Sequence, residues 1–231
     1  MSMATETAGS GVDGNRARFS GLCADVESYY SARVAKYGAT PRGVDWSCQA
    51  TQDLRFVQLL KLCDFSAPFS LNDIGCGYGA LCAYLAKRHP QAAIDYLGID
   101  LSLSMVSRAR RRFSAAGRRF KVGKVSPRRA TYSVASGIMN INVGGSRASW
   151  EAFVAEMLAD LCRASLRGFS VNFIIGEVAG TADADAAPVQ LYRTSPEPWI
   201  QYCERELGCT VETIDGYGMN EVTLLARCNE S

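Results

Sequence analysis

Asp73, Gly75, Gly77, Gly79 and Asp100 are the residues whose types and spacing point to chemistry. The apolar run Leu71-Asn72-Asp73-Ile74 passes into Gly75-Cys76-Gly77-Tyr78-Gly79 and then into Ala80-Leu81, the pattern of a strand, a tight turn and a helix. Glycines in such a turn let the backbone bend sharply and approach a bound molecule without a Cβ in the way. Asp100 follows Gly79 by 21 residues at the end of a second strand-like run, Ile94 to Ile99, where a carboxylate can grip a ribose diol. The pairing of turn and acid points to a nucleotide-like cofactor. The turn reads Gly-x-Gly-x-Gly and not Gly-x-Gly-x-x-Gly, so a dinucleotide pyrophosphate is the weaker fit.

Asp73-x-Gly75-Cys76-Gly77-Tyr78-Gly79 and Gly98-Ile99-Asp100-Leu101-Ser102 closely resemble motifs I and II of the Rossmann-like (class I) S-adenosylmethionine-dependent methyltransferases. Ser136-Gly137-Ile138-Met139-Asn140 and Gly38-Ala39-Thr40-Pro41-Arg42-Gly43-Val44-Asp45-Trp46 are similar to stretches of a little-described bacterial group of these enzymes. The resemblance runs from about Tyr29 onward. It implies S-adenosyl-L-methionine as cofactor. In that frame the turn of Gly75, Cys76 and Gly77 holds the methionine end and Asp73 faces its ammonium. Asp100 takes the ribose hydroxyls, and Leu101 and Met105 lie against adenine. Ser136, Gly137 and Ile138 lie against the sulfonium, with Asn140 at the substrate edge. Trp46 and Gln52 are added to the cofactor set, Gln52 reaching the carboxylate end. Related enzymes often place an acid after the third strand for the adenine amine, whereas Lys124 stands here and cannot accept that bond. An Asn or Asp followed by Pro-Pro is absent after the fourth strand, which argues against methylation of bases or glutamine.

Methyl transfer from a sulfonium needs positioning, desolvation and exclusion of water more than it needs a base. Glu177, Tyr30 and Tyr217 are the candidate bases or positioning groups beside Asn140, and no metal ligand set is expected. Tyr29, Tyr30, Tyr37 and Trp46 could also cap a cation, worth roughly 0.5–2 kcal/mol per contact. Each of these residues has a plainer role as packing or solvated loop. His89, the single histidine, ends the helix after the glycine turn and belongs at the far end of the sheet.

The elements that must position these groups alternate through the chain. Amphipathic helices are predicted over Asp25–Tyr37 and Gln49–Cys63, then strands and helices in turn: Ser70–Ile74, Ala80–Arg88, Ile94–Ile99, Ser102–Phe113, Phe120–Val122, Tyr132–Ala135, a helix carrying Trp150 to Leu161, and Phe169–Ile175. Ser195-Pro196 opens a last helix that Gly208 closes. Cys209–Ile214 and Val222–Arg227 are joined too tightly for a crossover, so they form an antiparallel hairpin. The fold expected is α/β: a Rossmann-like, seven-stranded, mostly parallel sheet with a C-terminal antiparallel hairpin and an N-terminal helical cap. Residues 1–20 are read as a disordered segment and 21–231 as one domain, with 21–66 as cap and 67–231 as core.

At 231 residues and 48% hydrophobic content the chain can bury a sizeable core. Nine cysteines without a Cys-x-x-Cys pair read as reduced thiols, neither a disulfide framework nor a zinc site, which suits a cytoplasmic protein. No run approaches membrane-spanning length. The ten basic residues from Arg108 to Arg129, uninterrupted by an acid, are read as a solvated face, because the net charge is only +2. The expected function is transfer of a methyl group to nitrogen or oxygen of a small metabolite. Carbon methylation, an RNA methyltransferase using the basic run, and a non-catalytic nucleotide-binding protein are the rivals. The expected partner is a small-molecule acceptor, with no membrane and no nucleic acid, and a homodimer is left open.

Overall fold

A computed structural model describes residues 19–114, 118–176 and 189–229. The expected disordered start, apart from its last two residues, lies outside them. Two helices come first, α1 (Ser20–Tyr37) and α2 (Gln49–Leu60), separated by a 3-10 turn at Pro41–Val44. The core then runs β1 (Phe69–Ile74), α3 (Ala80–Arg88), β2 (Ile94–Asp100), α4 (Leu103–Phe113), β3 (Arg119–Val122), β4 (Ala130–Ala135), β5 (Ile141–Asn142), α5 (Arg147–Arg163), β6 (Ser165–Ile174), β7 (Gln190–Leu191), α6 (Glu197–Arg205), β8 (Cys209–Ile214) and β9 (Glu221–Cys228).

Seven strands form one sheet in the order β3-β2-β1-β4-β6-β9-β8. Its first five strands are parallel, and β9 pairs antiparallel with both β6 and β8. The strand order reverses between β1 and β4, so a crevice opens at their carboxyl ends, where α/β sheets bind ligands. β6 illustrates how the sequence sets the layers. Phe169, Val171 and Phe173 alternate onto the face covered by α5 and α6 and are fully buried. Ser170 and Asn172 point the other way; Ser170 donates to the Leu59 carbonyl at the end of α2 (2.9 Å), and Asn172 serves the network described below.

Helix starts follow local chemistry. Gly79 caps α3 in the left-handed region (φ 82°), and the Ser102 hydroxyl accepts from the Met105 amide to begin α4. The cap is fastened to the core by polar contacts: Ser31 and Ser102 share a hydroxyl hydrogen bond (2.7 Å), and Arg108 donates to the Val34 carbonyl (3.3 Å). Several features differ from the sequence expectation: α1 begins at Ser20 instead of Asp25, and β6 at Ser165 instead of Phe169. α2 stops at Leu60, with Lys61–Cys63 in a turn. Two-residue strands β5 and β7 pair antiparallel across the site edge, and strands this short carry no readable periodicity.

Candidate functional site

A cavity partly open to solvent lies over the carboxyl ends of β1, β2 and β4 and under α1 and the 3-10 turn. Trp46, Gln52, Asp73, Gly75, Cys76, Gly77, Asp100, Leu101, Met105, Ser136, Gly137 and Ile138 all line it, with Tyr30 on the cap side.

The glycine turn is crowded where a side chain would stand. At Gly75 (φ 73°) an added Cβ would lie only 2.1 Å from Ile138 Cγ2, and at Gly137 (φ 76°) it would lie 2.1 Å from Trp46 Cζ2. Asp100 pins this turn to the second strand: one carboxylate oxygen accepts from the Gly77 amide and the other from the Ser102 amide, each at 2.8 Å. Loss of water around Asp100 raises its pKa to about 6 despite those two bonds. Asp73 is 2% exposed and accepts from the Tyr96 hydroxyl at 2.5 Å. Burial raises its carboxyl to about 7, the tyrosine bond opposing and Asp100 adding. Its second oxygen has no side-chain partner among the described residues, and the buried Ser136 hydroxyl on the cavity wall has no partner among them either. A buried polar group is normally satisfied, so the Ser136 hydroxyl is open to a ligand's donor or acceptor.

The opposite wall is held from far away in sequence. Arg55 on α2 lies 3.7 Å from the Trp46 ring centroid and forms a buried ion pair with Glu221, the first residue of β9. Glu221 also accepts from Asn172 Nδ2 (2.9 Å), whose Oδ1 accepts from the Gly137 amide (2.8 Å). Gln52 accepts from the Tyr78 hydroxyl (3.2 Å). Sequence reasoning misses this relay of Arg55, Glu221 and Asn172, because Glu221 reads as a loop acid. The signal that could have found it is Asn172, a polar residue inside an apolar strand.

Lys124 lines the cavity but is spoken for. Its ammonium pairs with Glu156 of α5 and lies 5.6 and 5.4 Å from the rings of Phe19 and Phe153. Glu156 is not on the cavity lining, and its Oε2 is buried without a partner among the described residues.

Two candidate groups lie elsewhere. Asn140 is not on the cavity wall: it is 1% exposed, its Oδ1 accepts from the Ile174 amide (3.1 Å) and its carbonyl from the Tyr192 amide (2.9 Å). It fastens the loop after β4 to β6 and β7, because β5 and β7 pull that loop down onto the sheet end. Tyr217 sits on the β8–β9 connection and shares a hydrogen bond with Thr223 (3.2 Å), away from the cavity lining. Glu177 lies outside the described residues. Tyr29 and Tyr37 also stay off the cavity lining: burial and the nearby Asp45 carboxylate push the Tyr29 phenol up to about 12, and the Arg33 guanidinium lies 4.7 Å from the Tyr37 ring. His89 is stacked on Phe65 (4.1 Å), off the cavity lining.

Residues 72–161 match the family model described as a methyltransferase domain. A protein of Mycobacterium tuberculosis (strain ATCC 25618 / H37Rv), named "Putative methyltransferase Rv1506c", is 37% identical over 169 residues, 73% of this chain and 98% of that one. Among solved structures, an O-methyltransferase family protein from Burkholderia thailandensis superposes with TM-score 0.60 at 16% identity, covering 95% of this chain and 70% of that chain. Human N-acetylserotonin methyltransferase, solved in complex with SAM, gives 0.57 at 16% identity over 78% of this chain; the chain spans only 53% of that enzyme. From the Mycobacterium tuberculosis relative, covered almost end to end, and the family model together, the chain belongs to the class I S-adenosylmethionine-dependent methyltransferases.

Proposed function

We propose that the enzyme methylates nitrogen or oxygen of a small metabolite inside the cavity beneath α1. The observation that carries this reading is the roof: Tyr30, Val26 and Glu27 of α1 and Val44 and Trp46 of the following turn close over the same cavity that Asp100 and the glycine turn line from below. A roofed, largely apolar pocket admits a small acceptor and keeps out a structured nucleic acid. The basic run supports the same reading, since much of it is used within the fold. Arg108, Arg110, Arg118 and Arg129 donate to main-chain carbonyls, Arg119 and Arg128 pair with Asp95, and Lys124 pairs with Glu156.

When bound, S-adenosylmethionine supplies a methyl group made electrophilic by its sulfonium. The chain's residues hold and shield. Asp100, ionised, accepts from the ribose hydroxyls with lone pairs not used by Gly77 and Ser102; Asp73 presents its free oxygen to the ammonium. The Ser136 hydroxyl and the glycine-turn amides complete the cradle, and Leu101 and Met105 give adenine an apolar bed. Desolvation holds the Tyr30 phenol well above the ordinary tyrosine range, with Asp45 adding to the effect. Tyr30 therefore stays protonated and donates a hydrogen bond to the acceptor, positioning it instead of removing its proton.

The test is transfer of label from methyl-labelled S-adenosylmethionine into a cell extract separated into low-molecular-weight and RNA fractions. Label in the small-molecule fraction, reduced in Tyr30→Phe by a larger effect on KM than on cofactor affinity, is the expected result. Label confined to RNA would overturn the reading.

A further inference from the structure

Away from the cavity, where β9 ends and β8 begins, three cysteines from three elements meet. Cys162 stands one residue before the end of α5, Cys209 is the first residue of β8, and Cys228 is the last of β9. Cys209 and Cys228 face each other in the β8–β9 register. Cys162 Sγ is 3.8 Å from Cys209 Sγ and 4.0 Å from Cys228 Sγ, and all three sulfurs fall within 4.8 Å of one another. The pairs are 47 and 66 residues apart, so no sequence spacing announces the cluster.

Those distances have a chemical meaning. Zinc–thiolate bonds of about 2.3 Å at tetrahedral angles place neighbouring sulfurs about 3.8 Å apart. Two of the three sulfur separations therefore stand close to the edge length of such a tetrahedron, and the third lies within 4.8 Å. A disulfide would join only two of them and leave the third unpaired. Cys209 is 5% exposed while Cys162 and Cys228 are half-buried, so solvent can reach the fourth position. Charge fits as well. Three thiolates around a divalent ion carry a net charge of −1, and the guanidinium groups of Arg129 and Arg163 lie near enough to act on the Cys162 sulfur. In the free site the thiol protons have only one another and the Leu207 carbonyl to bond, at 3.8–4.0 Å.

We propose that Cys162, Cys209 and Cys228 form a three-thiolate site for a soft d10 ion of the Zn²⁺ and Cd²⁺ class, with solvent as fourth ligand. Each metal–sulfur bond forms as one thiol gives its proton to solvent, with no oxidation or reduction. The ion would clip the end of α5 to the open end of the terminal hairpin. Its place away from the cavity makes the site independent of the methyl-transfer reading.

The probe is Cd²⁺ alone, added to the reduced, metal-free full chain while sulfur-to-cadmium charge-transfer absorption is followed. Saturation at one equivalent is expected. The thermal midpoint should also rise by about 5–10 °C at a hundredfold excess over Kd. The band should be lost in Cys209→Ser and in Cys162→Ser, the latter at a half-buried position that leaves the hairpin intact. It should persist in Cys48→Ser, an exposed cysteine outside the cluster. S-adenosylhomocysteine binding should be the same in all three variants. No band in the folded reduced chain, a band undiminished in both cluster variants, or formation of a Cys209–Cys228 disulfide that leaves the reduced chain indifferent to Cd²⁺ would overturn the proposal.

Discussion

The two walls of the cavity are built in different ways. Asp100 secures the glycine-turn wall through amides 23 and 2 residues away, inside one strand–turn–helix–strand unit. The Trp46–Gly137 wall depends on an ion pair between residues 166 apart, Arg55 and Glu221, relayed through Asn172. One wall is local and the other is tertiary. Damage to the first should therefore appear in ligand binding with the fold intact, whereas damage to the second should appear first in stability.

Glu221→Ala breaks that contrast most severely. It leaves the Arg55 guanidinium buried without its counter-charge, a loss of about 3–5 kcal/mol. Urea denaturation of the ligand-free protein measures it; a change below about 1 kcal/mol would mean that the tertiary wall is not held as described. Replacing both partners by apolar residues should recover much of the loss, since well-packed isosteres of buried pairs are often neutral.

Gly137→Ala comes next. A methyl group there meets Trp46 in a left-handed backbone position, and overpacking of this kind costs about 1–3 kcal/mol. Urea denaturation of the ligand-free protein should show that loss of stability. Unchanged stability would show that the Trp46 side of the cavity gives way freely.

On the local wall, affinity should depend on pH. Asp100 and Asp73 must be ionised to hold a diol and an ammonium, so binding weakens as pH falls through about 7 and then about 6. Stability of the ligand-free protein runs the other way. Both folded pKa values lie above the unfolded ones, so this contribution is full below the ordinary carboxylate range and fades as pH rises through about 6 and about 7. Asp73→Asn should remove the upper part of both profiles and, by removing the charge that faces the ammonium, weaken binding at every pH.

The smallest effect belongs to Ser31→Ala, which deletes one hydroxyl contact between α1 and the start of α4. About 0.5–1.5 kcal/mol is at stake. Release of S-adenosylhomocysteine, followed by stopped flow, should quicken by a few fold while the midpoint of unfolding barely moves.

The same contrast explains what can be read from residues alone. The stretch Asp73 to Gly79 and Asp100 are legible because a left-handed turn demands glycine and a strand end presents its acid to the crevice. The sheet follows from alternation of strand and helix runs and from the short β8–β9 connection. Glu221 is illegible as a structural residue, since an acid at the start of a strand looks like any loop carboxylate until Arg55 is placed beside it. The motif puts Asn140 at the substrate edge, and the two-residue pairing of β5 with β7 is what turns it inward. Lys124 looks unpaired because its partner Glu156 arrives 32 residues later on α5. The thiol cluster is hidden for the same reason, as no spacing rule links Cys162, Cys209 and Cys228.

In the proposed reading, Asp100 and the glycine turn hold S-adenosylmethionine under the α1 roof. Calorimetric titration of S-adenosylhomocysteine into the native protein and into Asp100→Ala tests it most directly. One site per chain is predicted, with affinity falling by at least about tenfold in the variant, since hydrogen bonds to a charged group are worth about 1.5–3 kcal/mol. Equal binding by the two proteins, or no binding by the well-folded native chain, would contradict it.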